Sequence, residues 1–149
     1  MRKMHKRYSK PRTLFSKVRM EEENALVKDY GLKNKKEIWK TEAMLARIRD
    51  QAKRLILEPE AQKAFLARLA NLGLLSGQPS IDNALSLTKI NLLERRLQTI
   101  VFKKNLAKTI NEARQLIAHR KIAIGDRIVT IPGRMITVDE EKSIRRITK

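Results

Sequence analysis

No cysteine occurs in this chain. That excludes a disulfide framework and Cys-ligated zinc, and it suits a reducing, cytoplasmic setting. Aromatics are scarce too: three Phe, two Tyr and one Trp. Reading single strands by stacking bases across an aromatic sheet is therefore poorly supplied. No apolar run approaches the roughly 18 residues that cross a bilayer, and no stretch resembles a signal peptide. Acidic side chains are few, 16 against 34 Lys plus Arg, for a net charge of +18 over 149 residues. One-signed charge on this scale opposes a compact state unless a polyanion neutralises it. Nucleic acid is the leading partner. An anionic membrane surface comes second and loses ground without a spanning segment. The 42% apolar content supports cores for one domain or two small interlocked ones.

Residues 1–20 hold eight Lys/Arg and no acid. With Pro11 and no periodicity, they read as an extended basic arm. It should order on phosphates through Arg2, Lys3, Lys6, Arg7, Lys10 and Arg12. A frayed terminus is the plainer alternative.

Residues 21–87 read as a helical bundle domain. A helix over 21–29 ends at Gly31, and Asn34 with Glu37 three residues on forms a capping-box pattern. The next helix runs over 35–57, with Ile38, Met44, Leu45, Ile48, Ala52, Leu55 and Ile56 on one stripe. Arg47 and Arg54 lie on the other side. Trp39 is off the stripe, either packed on the 21–29 helix or exposed to a ligand, and burial favours packing. Pro59 opens a helix over 60–72 that Gly73 ends, and Ser80 caps a short one.

Residues 88–149 form a second domain. A helix over 89–103 turns Ile90, Leu93, Leu97, Ile100 and Val101 inward. Thr109 and Glu112 make a second capping box for a helix over 110–119. Residues 122–124 and 127–131 alternate as strands around the two-residue turn Gly125-Asp126. Two more strands are expected at 135–138 and 143–147, joined by the acidic turn 139–141. The fold class is α+β: an extended basic arm, a helical bundle, and two helices beside a small antiparallel hairpin sheet.

Catalysis has little support. There are two His, no metalloprotease or nucleophile motif, and no glycine loop for phosphate. The acids at 21–23 suit the positive end of a helix dipole better than a metal site. His119 lacks an orienting partner. Basic residues, in contrast, recur wherever the apolar stripes do not. Segment 94–121 has eight Lys/Arg and two acids. Its candidates are Arg95, Arg96, Lys103, Lys104, Arg114, Gln115, His119, Arg120 and Lys121, with Arg favoured for its planar, bidentate grip on phosphate. Phe102 is an interface residue to the bundle or a base contact. Helix-turn-helix DNA reading through Asn111, Arg114 and Gln115 stays open by pattern. Folded RNA fits the arm and hairpin better.

The stretch LERRLQTIVFKKNLAKTINEARQLIAHRKIAIGDRIVTIP resembles the core of the small-subunit ribosomal protein four family in its archaeal and eukaryotic form, which carries the S-four RNA-binding domain. KDYGLKNKKEIWKTEAMLARIRDQAKRLI and ARLANLGLL resemble the helical part of the same family. The likeness covers roughly residues 8–147. It implies a non-catalytic structural constituent of the small ribosomal subunit. That protein would bind 16S-type ribosomal RNA at a multi-helix junction, nucleate assembly, and lie near the messenger RNA entry path among neighbouring ribosomal proteins. Family RNA contacts map to Arg95, Arg96, Lys103, Lys104, Arg114, Gln115, His119 and Lys121. No cofactor, metal, membrane or homo-oligomer is implied. Asp126 at the hairpin tip departs from the family pattern and moves the expected contacts to the helices. The lack of a long basic C-terminal extension after Lys149 points to an archaeal source or a trimmed chain. The alternative is an RNA chaperone, or the targeting module of an RNA-modifying enzyme, built on the same RNA-binding domain.

Overall fold

A computed structural model of the chain describes residues 8–13, 15–75 and 77–147. The expectations for Arg2, Lys3, Lys6 and Arg7 lie outside the described residues. Residues 8–13 form neither helix nor strand. The ring of Tyr8 sits 6.0 Å from that of Trp39, which sets this end of the arm against the helical unit.

Helix α1 spans Lys17–Asp29 and begins one turn earlier than the acids at 21–23 suggested. Those acids therefore sit inside the helix and not at its positive end. Glu23 is buried: it accepts the Trp39 indole N–H at 3.0 Å and pairs with Arg19 and Lys35. Trp39 thus packs toward α1, in a small core with Leu26, Val27, Leu32, Ile38 and Leu93. Helix α2, Lys35–Arg54, ends in a single 3-10 turn at Leu55–Leu57 before Pro59 can clash with it. Its stripe sends Leu45, Ile48 and Ala52 into a core with Phe65, Leu66 and Leu69 of α3 (Pro59–Asn71) and Ala84 of α4 (Ile81–Ser86). Each large apolar side chain buried there contributes about 2 kcal/mol. Ile56 departs from the expected stripe and stays exposed, because the 3-10 turn ends the helical register before it. Ser80 caps α4 as expected, accepting from the Asn83 backbone N–H at 3.2 Å.

The helix expected over 89–103 is two helices, α5 (Lys89–Glu94) and α6 (Leu97–Lys103), broken at Arg95-Arg96. Arg96 is extended, with φ −74° and ψ 143°. The break is held by residues much later in the chain. The Leu97 N–H donates to Arg134 O at 2.8 Å, the Gln98 N–H to Pro132 O at 3.2 Å, and the Ile136 N–H to Arg95 O at 3.1 Å. A loop thereby satisfies the opening N–H groups of α6, which a helix start leaves free.

Helix α7, Ile110–Ala118, is capped by Thr109 as expected, but the Glu112 carboxylate reaches Lys108 N at 2.7 Å. Strand β1 (Ile122–Ile124) is fully buried at the centre of a three-stranded antiparallel sheet ordered β2-β1-β3. Strand β2 is only Arg127–Ile128, with Ile124 opposite Arg127 across the two-residue turn. The strand expected at 135–138 is absent apart from one bridge between Arg96 and Met135. The acidic turn expected at 139–141 is helix α8, Val138–Lys142. A full capping box between Thr137 and Glu140 starts α8, and three acids in its first turn favour its positive end. Strand β3, Ile144–Arg146, then pairs with β1. Leu97, Val101, Ala113, Ile117, Ile122 and Ile136 fill the core of this second unit. No described helix is long and apolar enough to cross a membrane.

Candidate nucleic-acid interface

Four cations expected on the RNA face are tied inside the chain. Arg96, only 6% exposed, pairs through Nη2 with Glu37 Oε2. Arg114 donates from Nη2 to the other oxygen of Glu37 at 3.0 Å, and from Nη1 to Gln98 Oε1 at 3.2 Å. Gln98 in turn donates to Gly31 O and Ile110 O, both at 3.0 Å. This cluster joins the α1–α2 elbow to α6 and α7. Glu37 does not complete a capping box with Asn34; its carboxylate accepts from Lys33 N at 3.2 Å and faces the two arginines. Burial pushes the Glu37 carboxyl up. Hydrogen bonds and charge from Arg96 and Arg114 outweigh that and hold it below the ordinary carboxylate range. Arg95 donates to Glu141 at 2.7 Å and to Ile136 O at 3.0 Å, fastening α8. The Lys104 ammonium donates to Glu141 O. The reading of Arg95, Arg96 and Arg114 as an outward basic face is thus corrected, because their guanidinium groups have nearer acceptors within the fold.

The outward cations form two other features. Lys36, Lys40, Arg47 and Arg54 fall on one face of α2, within about 40° of one another at 3.6 residues per turn. All four are exposed, and none has an ion pair among the described residues. From Lys36 to Arg54 this ridge runs about 27 Å at 1.5 Å per residue, with Asp50 on its flank. The second feature is a groove of about 410 Å³ beside α7, lined by Gln115, His119, Lys121 and Arg146 with Glu112 and Leu116. The structure therefore brings together three of the expected residues and adds Arg146, which sequence reasoning missed. Its position depends on β3 pairing with β1, where Arg146 stands opposite Ile122. The only local signal was two adjacent arginines in a short strand.

Arg120 is exposed next to the groove, in the left-handed backbone region with φ +60°. Lys103 is exposed and makes a loose surface pair with Glu94 at 3.5 Å. Phe102 joins none of the three cores and is 40% exposed, so it does not pack under the bundle. Lys10 and Arg12 are exposed on the described part of the arm. Asp126 pairs with Arg145 at 3.4 Å, which balances the charge at the hairpin tip.

A family model described as the S4 domain matches residues 95–142, from the break before α6 to the end of α8. The whole chain is similar to proteins named small ribosomal subunit protein uS4. One from Thermoplasma acidophilum is 48% identical over 148 residues, covering 94% of this chain and 74% of the relative. One from Ignicoccus hospitalis is 48% identical over 148 residues, covering 96% and 89%. One from Saccharolobus solfataricus is 42% identical over 149 residues, covering 96% and 82%. The chain belongs to the uS4 family. The S4 match coincides with the second core, and the uS4 likeness extends through the helical unit in front of it. Both units therefore belong to one family architecture, as the resemblance of the two sequence halves implied.

Proposed function

We propose that this chain is a non-catalytic structural constituent of the small ribosomal subunit, located in the cytoplasm. In this reading it grips 16S-type ribosomal RNA at a multi-helix junction, where it nucleates subunit assembly and lies near the messenger RNA entry path. Neighbouring ribosomal proteins are its other partners, and it acts without a homo-oligomer. The relatives are named as ribosomal proteins and not as enzymes. The observation that carries the proposal is the exposed, unpaired basic ridge on α2 in a chain of this family. Ordered cations without carboxylate partners cost self-repulsion, which a polyanion relieves.

The phosphate contacts proposed are Lys36, Lys40, Arg47 and Arg54 on the ridge, Gln115, His119, Arg120, Lys121 and Arg146 at the groove, with Lys103, Lys10 and Arg12. Arg95, Arg96, Lys104 and Arg114 hold the frame that presents them. Binding to a small-subunit ribosomal RNA fragment should weaken linearly in log–log form as salt rises. Replacing Arg47 and Arg54 by Gln should lower that slope by about 2 without changing helicity. A flat affinity across the salt series overturns the reading. Retention on small subunits through a high-salt wash separates an integral constituent from an RNA chaperone or targeting module, which should wash off.

A further inference from the structure

A cleft of about 550 Å³ lies between the first half of α2 and the loop at 131–135. Its rim and floor carry opposing chemistry. Lys33, Lys36 and Lys40 are exposed along the α2 side and have no ion pair among the described residues. Arg96 and Arg114 lie at the floor and share the single carboxylate of Glu37. The opposite wall is aliphatic: Ile131, Pro132 and Met135, with Met44 across from them on α2. Ile131 is 63% exposed there. No Phe, Tyr or Trp lines the cleft.

We propose that this cleft seats one unpaired RNA nucleotide, its phosphate at Lys36 and Lys40 and its base against Ile131, Pro132 and Met135. The inference rests on the RNA-binding reading and adds a site that this reading does not need. Three considerations select the occupant. Five cations against one carboxylate call for an anion. An apolar wall inside a cleft is reached only by a base that has left its stack, since a paired duplex keeps its base faces covered. The Arg114 guanidinium, a quarter exposed, offers the planar surface on which RNA-binding proteins rest bases when aromatics are absent. The cleft also opens onto the α2 ridge, so the strand on either side of the seated nucleotide meets Arg47 and Arg54. That continuity favours a long polyanion over an acidic peptide, which would match the lysines alone. The size lies within the range of pockets that enclose small ligands.

The test uses the full chain with labelled methionine methyl groups, observed by NMR. Met44 and Met135 report on the cleft directly. A short single-stranded oligouridylate should shift both methyl signals, and a blunt RNA duplex should not. Lys36→Gln with Lys40→Gln should weaken the oligouridylate about tenfold and lower its salt slope by about 1.4, at 0.7 per phosphate contact. Duplex affinity should stay within about twofold. Both lysines are exposed, so an unchanged spectrum of the free variant confirms its fold. The inference is overturned if the duplex moves the two methyls equally, if a polyglutamate peptide binds there more tightly, or if no probe moves them. The same preparation is titrated with the ribosomal RNA fragment. Failure to bind it sinks the wider RNA reading as well; binding it with unmoved methyls sinks the cleft alone.

Discussion

Glu37 meets two guanidinium groups from residues 59 and 77 positions further along the chain. Its depressed pKa turns that geometry into a pH dependence. The stabilisation is complete above the unfolded carboxyl value of about 4.3, and it is lost as pH falls through the lower folded value. Glu37→Gln is expected to reduce unfolding free energy by about 3 kcal/mol at neutral pH, because it leaves two half-buried cations facing a neutral amide. It should also flatten the acid limb of the stability curve, and urea melts at neutral pH and near about pH 3 check both effects. Arg96→Ala or Arg114→Ala should likewise loosen the fold before it weakens RNA binding. A single sequence shows which residues are basic but not which will find a carboxylate. Arg47 and Arg96 read alike in one dimension. They part only when Glu37 arrives beside Arg96 from the other unit.

Capping chemistry was legible wherever both partners are close in sequence, as at Ser80 and Thr109. The same chemistry at Thr137 and Glu140 lay within a segment read as two strands and an acidic turn, because alternating Ile and Val outweighed a five-residue helix. The break between α5 and α6 had no local signal at all, since residues 89–103 keep an apolar helical stripe. What ends α5 is hydrogen bonding to residues 132–136, and those arrive from the far side of the sheet. The end of α7 carries a prediction of its own. Arg120 takes a left-handed conformation that costs a non-glycine residue roughly 1–2 kcal/mol, and its N–H bonds back to Ile117 O at 3.1 Å. Arg120→Gly should therefore raise the unfolding free energy by about 1 kcal/mol while weakening RNA affinity. Thermal melts and filter binding on one preparation would measure the two together. A loss of stability would show that the side chain has a structural role instead.

Across the whole molecule, the two units meet at the α1–α2 elbow. A Cβ on Gly31 would lie 2.8 Å from Asn111 Oδ1 and from Gln98 Nε2, and Gly31 has φ +55°. Gly77 has φ +79° with nothing within 4 Å. Gly31→Ala should thus cost about 2 kcal/mol more than Gly77→Ala, the excess being the packing of one unit on the other and not backbone strain. Parallel urea melts read the difference, and equal losses would mean that the units barely depend on one another. The two-unit division and the basic character of the chain were both legible in its patterning. The packing of the units was not, because it rests on one glycine and one buried glutamine. The Glu37 contacts also set an order on folding during synthesis. A growing chain makes Glu37 long before Arg96 and Arg114, so the first helices can assemble while that carboxylate still faces water. The two halves lock in register only after residue 114 has emerged, so a stalled or truncated chain is left with its N-terminal half built and its latch open.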